Sequence, residues 1–220
     1  MRRREIRILF LLAAALTITG CMGQQETGHR IRSFLYLYPR NALEVSVQPE
    51  VQEQISCAYP SCEEEWRVIA RPDGTMAGLD DGQEYSCLFR ESVLEGLPKE
   101  PLSGELQAGY VVKGEDTAAF LQEIFSKMGL FPSEYHELLI SFLPEMERQP
   151  WNLITIYRRT GGVPDGLQIT PRPDQVLQVL MAYKPLEKGP DEETEAPELE
   201  SLHAFRQGFT AVELSGMQIP

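Results

Sequence analysis

"DTAAFLQEIFSKMGLFPSEYHELLISFLPEM", residues 116–146, is the stretch on which the fold turns. Phe120, Leu121, Ile124, Phe125 and Met128 recur at helical spacing, and Gly129 stands where a left-handed C-terminal cap belongs. Pro132 follows, Ser133 is placed to cap a second helix, and Glu134 and Glu137 suit its first turn. There Tyr135, Leu138, Leu139 and Phe142 form the apolar stripe, and Pro144 breaks the pattern. Helices this short do not hold by themselves in water. They are expected to pack on each other and on a sheet.

The flanks supply that sheet. "LEVSVQ" (43–48) alternates apolar and polar residues, the mark of a half-buried strand. "WRVIARPDGTMAGL" (66–79) reads as a hairpin: Pro72 presets the first φ of the turn and Gly74 takes a positive φ. "EYSCLFRESV" (84–93) reads as one further strand, and residues 96–109, rich in Gly and Pro, separate it from the helices. Beyond the helices, "WNLITIYR" (151–158), "LQIT" (167–170), "QVLQVLMAYKPL" (175–186) and "GFTAVELSG" (208–216) are strands. Val176, Leu177, Val179, Leu180 and Met181 are dense enough for a central position. In "FLYLY", Phe34, Tyr36 and Tyr38 share one face, for the core or, alternatively, as a docking face for a strand or a glycan. Strands, two helices, then strands predict an α+β fold: a mainly antiparallel β-sheet with an inserted two-helix unit, and not a doubly wound one. Residues 34–220 are expected to form one domain, with an acidic, proline-broken loop at 187–200.

The amino-terminus has a different character. MRRREIR is basic, Ile8 to Leu16 is unbroken apolar sequence, and Thr17 to Gly20 turns small. That is the pattern of a secretory signal, too short for a helix that must cross roughly 30 Å of hydrocarbon with about 20 apolar residues. Ile18-Thr19-Gly20-Cys21 resembles a bacterial lipobox. The resemblance implies cleavage of residues 1–20 and attachment of fatty chains to the Cys21 sulfur. Residues 21–33 would then be a flexible tether, with the domain held extracytoplasmically at a cell membrane or outer membrane. Each buried methylene contributes about 0.8 kcal/mol, so two or three chains hold far longer than one.

The formal net charge is −13, and it deepens once Arg2, Arg3, Arg4 and Arg7 leave with Glu5. Such a body repels nucleic acid and anionic headgroups, so its hold on the membrane is the lipid. With Cys21 acylated, Cys57, Cys62 and Cys87 remain, an odd number. A Cys57–Cys62 bridge across "CAYPSC" is the first expectation, and Cys62–Cys87 between neighbouring strands is the rival. A structural zinc would need a fourth soft ligand, and His29, His136 and His203 are not at metal spacing. No metal and no cofactor is expected.

"WRVIARPDGTM…DGQEYSCLFRES", "YVVKGEDTAAFLQEIFSKMGL", "SFLPEMERQPWNLITIY", "LQITPRPDQVLQVLMAYKPL" and "GFTAVELSG" together resemble a group of uncharacterised secreted and lipid-anchored bacterial proteins. The resemblance spans about Trp66 to Gly216 and implies a shared fold without a catalytic residue. Cys87 and "LFRES" depart from the group, which has an aromatic residue at the first and "LFWEG" at the second.

Candidate chemistry is sparse. Glu145 and Glu147, beside Trp151 and Asn152, combine a carboxylate pair with an aromatic platform, as glycan sites do. Residues two apart on a helix point to different sides, however, and a solvated helix end serves equally. Asp174 in "PRPD" stands at a rigid corner. His136-Glu137 lacks a second histidine, because residue 140 is isoleucine. No GxSxG elbow occurs. The expected role is therefore non-catalytic binding or scaffolding in the cell envelope, with a protein or glycan partner. An envelope hydrolase acting on glycan or peptide is the alternative.

Overall fold

The computed structural model describes residues 28–50, 54–94, 109–160, 166–190 and 206–220. In chain order the elements are β1 (His29–Tyr38), β2 (Leu43–Pro49), β3 (Gln54–Tyr59), β4 (Trp66–Ala70), β5 (Met76–Gly78), β6 (Glu84–Tyr85), β7 (Leu88–Leu94) and β8 (Tyr110–Lys113). A single 3-10 turn (Gly114–Asp116) leads into α1 (Thr117–Lys127) and α2 (Pro132–Met146). Then come β9 (Trp151–Thr160), β10 (Leu167–Thr170), β11 (Gln175–Leu186) and β12 (Thr210–Gln218). The fold is α+β and mostly antiparallel; the β11–β12 pair runs parallel.

Seven strands form one sheet in the order β3-β7-β1-β12-β11-β9-β8, and five form a second in the order β10-β2-β4-β5-β6. The side-chain period of two in β1 decides how the layers stack. Phe34 and Tyr36 join Val212, Leu214, Leu177, Val179, Met181 and Ile154 under the apolar faces of both helices. Leu35 and Leu37 point the other way and share a cluster with Val45, Val47, Trp66, Val68 and Ile169 of the five-stranded sheet. β1 is thus apolar on both faces because it lies between two packed layers. Burial of a side chain such as Leu37, fully enclosed, contributes about 1.5–3 kcal/mol.

Both helices lie where the periodicity puts them. Leu121, Ile124 and Phe125 of α1 are buried, as are Leu138, Leu139 and Phe142 of α2. Gly129 (φ 78°) ends α1, and the Leu130 amide returns to the Phe125 carbonyl in a Schellman arrangement. Three expectations are corrected. Ser133 does not cap α2: the helix starts at Pro132, and the Glu134 carboxylate accepts the Phe131 amide. Pro144 falls in the last turn, so α2 continues to Met146. Residues 84–93 are two strands, because the chain leaves the five-stranded sheet after β6 and enters the seven-stranded one at β7.

The tether boundary moves as well. Residues 29–33 were expected in the linker but belong to β1, where Ser33 bonds Ser215 of β12 at 2.8 Å. Arg30 and Arg32, which give this stretch its polar look, are paired with Glu91 of β7. The signal segment with Cys21, the start of the tether, residues 96–108 of the Gly- and Pro-rich separator, most of the acidic loop and His203 lie outside the described residues.

Candidate binding surfaces

The register puts opposite ends of the seven-stranded sheet at opposite poles. The first pole gathers the start of β1, the ends of β7, β12 and β11, and the start of β9 (His29↔Leu94, Ile31↔Met217, Tyr183↔Gln218, Leu186↔Trp151). Glu145, Glu147, Trp151 and Asn152 belong to it. The second gathers the end of β1, the start of β12 and β11, and the α1–α2 turn (Tyr38↔Thr210, Gln175↔Thr210).

At the first pole the expected carboxylate–aromatic site does not assemble. Glu145 and Glu147 are both exposed at the end of α2 and line neither cleft described below. Glu145 accepts the Tyr183 hydroxyl at 3.1 Å. Burial, then the charge and hydrogen bond of Glu145, push the Tyr183 phenol well above its usual range. Trp151 is half-buried, with the Lys113 ammonium 5.8 Å from its ring centre. Asn152 is fully enclosed; its amide donates to the Met146 carbonyl (2.9 Å) and the Thr117 hydroxyl (3.3 Å). It clamps the end of α2 and the start of α1 onto β9.

At the second pole, Arg40, Asp174, Gln175, Gln207 and Gly208 line an open cleft of about 700 Å3. Its acid is already engaged: Asp174 accepts the Phe209 amide at 2.7 Å, and Gln175 accepts the Gln207 amide at 3.1 Å. Both hold the approach to β12 in place. Beside it Arg206 bonds Glu134 and the Gly129 carbonyl, with its guanidinium 4.1 Å from the Phe131 ring centre and 5.3 Å from that of Tyr38. Phe131 is 50% exposed. Inside this corner, burial raises the Tyr36 and Tyr38 phenols and lifts the Cys87 thiol to about 11.

A second open cleft, of about 720 Å3, lies along β3. Gln48, Glu50, Ile55, Ser56, Cys57, Ala58, Cys62, Glu63 and Glu64 are among the residues that line it. Cys57 and Cys62, the expected bridge, both face this cleft and stand as free thiols, as does Cys87. Among the described residues no group of three His, Cys, Asp or Glu side chains is placed to hold a metal ion. No described helix is long and apolar enough to cross a membrane.

Two buried ion pairs were not foreseen. Arg206–Glu134 is one; Arg90–Glu213, at 2.9 Å, is the other. Gln178 of β11 donates to Glu213 at 2.7 Å and accepts from Arg159 at 2.8 Å, so a polar row crosses three strands. The only trace in the sequence is charge inside otherwise apolar strands. Compared with family models, curated proteins and solved structures, the chain matches none.

Proposed function

We propose that the protein is a lipid-anchored extracytoplasmic binding protein, processed at Cys21, that works in the cell envelope without catalysing a reaction. One observation carries this reading: the basic, apolar, small-residue run that ends in Ile18-Thr19-Gly20-Cys21. One consequence and one supporting feature follow from the fold. From Cys21 to the first residue of β1 at His29, the chain can reach at most about 30 Å. On this reading a lipid at Cys21 turns the first pole, where β1 begins, toward the bilayer and the second, with its cleft and exposed Phe131, away from it. Two of the three carboxylates that suggested catalysis have structural tasks: Asp174 fixes the entry to β12 and Glu145 accepts the Tyr183 hydroxyl, while Glu147 is exposed; Asn152, a binding candidate, clamps the helices.

Mass spectrometry of the native protein tests the reading. A chain that begins at Cys21 and carries diacylglycerol on its sulfur is expected. Cys21→Ser moves the protein from the membrane to the soluble fraction or leaves its leader uncut. An intact amino-terminal methionine, or a processed end without lipid mass, overturns the reading.

A further inference from the structure

Among the described residues the seven-stranded sheet ends at β3. This strand pairs with β7 alone, and among the described residues no hydrogen bond reaches its backbone from the other side. Edge strands are usually blunted by lysine, proline, an inward charge or a bulge. QISCAY, from Gln54 to Tyr59, has no lysine, proline or inward charge. It does carry a register shift between Ile55 and Cys57, where the Ser56 hydroxyl turns onto Glu91, and pairing with β7 resumes from Cys57 to Tyr59. The other edges differ: β8 is four residues long and ends in Lys113, β10 has four residues, and β6 has two. Tyr59, at the end of β3, is 64% exposed and is braced edge-on by Tyr85.

The charge beside this edge has one sign. Glu50, Glu63 and Glu64 line the cleft together with Ile55, Cys57 and Ala58 of β3, and among the described residues no basic side chain lines it. We propose that β3 is a docking edge for an extended polypeptide segment of a partner that carries lysine or arginine. The segment adds as an outer strand through main-chain hydrogen bonds and sets its cations over these carboxylates. A second copy of this chain fits poorly, since two β3 edges side by side bring both sets of carboxylates together. The inference names a partner class for the binding reading above and rests on that reading only for the compartment.

The full chain in detergent is titrated with an alternating lysine–valine octapeptide. Two comparison peptides are the glutamate–valine counterpart and the lysine peptide N-methylated at alternate amides, which keeps the charge and loses half of the donors. Saturable binding of the first is expected, with hydrogen exchange slowed at residues 54–59 and at least tenfold weaker binding of the other two. The Glu63→Lys, Glu64→Lys double variant changes two exposed side chains and weakens binding at least tenfold. Equal affinity for the methylated peptide, protection confined to residues outside β3, or protection of β3 by self-association overturns the proposal. A missing lipid on Cys21 overturns the anchoring and leaves this result untouched.

Discussion

Arg206 and Glu134 meet in a two-pronged ion pair that ties the approach to β12 to the first turn of α2. The carboxylate is completely enclosed, accepts the Phe131 amide as well, and has the guanidinium as its cation. Removing one partner of such a pair leaves an uncompensated buried charge. Arg206→Met should lower the unfolding free energy by about 3–5 kcal/mol in urea titration. Glu134→Gln should cost less, because the half-buried Arg206 keeps some water. Equal stability of the methionine variant and the parent would show that the pair contributes nothing net.

Glu91 predicts an acid-sensitive contact at the β3 side of the sheet. Burial works to raise its pKa, but hydrogen bonds from Arg32, Ser56 and Arg30 outweigh it, and the carboxyl is held below its ordinary value of 4.5. On acidification the unfolded chain therefore takes up its proton first. The contribution is complete above the ordinary value and fades as pH falls through the depressed one. Glu91→Gln should cost about 1–3 kcal/mol at neutral pH, and the gap to the parent should shrink toward zero at the acid end. Urea midpoints measured across pH 2–7 check it; a gap that does not change with pH refutes the assignment.

What was legible in the sequence follows from which interactions are local. Helix spacing placed Leu121 to Phe125 and Leu138 to Phe142 in the core, alternation found β2, and the Pro72–Gly74 turn found the β4–β5 hairpin. β3 and β8 were missed: they have six and four residues, and neither is bounded by a turn signal as clear as Pro72–Gly74. The split of residues 84–93 was hidden because the crossing at Ser86-Cys87 depends on two sheets that only the tertiary fold creates. At the candidate site, the neighbourhood of Glu145 and Trp151 was read correctly as a helix exit. That Glu145 serves Tyr183 and Asn152 serves the helices required partners 38 and 35 residues away.

The cysteines of the described residues should differ in reactivity. Burial, with a smaller push from the Glu137 charge, lifts Cys87 to about 11, so its thiolate fraction at pH 8 is on the order of one in a thousand. Cys57 is exposed on β3. In variants that retain one of the two, maleimide labelling of Cys57 at pH 8 should outpace that of Cys87 by at least tenfold. The Cys87 rate should climb with pH toward 11. Comparable rates at pH 8 would mean that the corner around Tyr36 opens readily.

The contact between α2 and β12 sets the sign of a glycine substitution. At Gly216 the backbone is extended, so alanine, with less freedom in the unfolded chain, would stabilise if space allowed. Space does not allow it: a Cβ there would lie 2.4 Å from Phe142 Cε2 and 3.0 Å from Leu138 Cδ1. The Phe142 ring cannot swing aside freely, since Tyr183 meets it edge-on and Arg32 stacks over it at 5.3 Å. Gly216→Ala should therefore cost about 1–3 kcal/mol through overpacking. Phe142→Leu alone should also destabilise, by lost contact. Combined, the two should cost less than their sum, because the smaller side chain vacates the volume that the new methyl needs. A strictly additive pair in urea denaturation would mean that the helix shifts as a body and that Phe142 does not limit its approach.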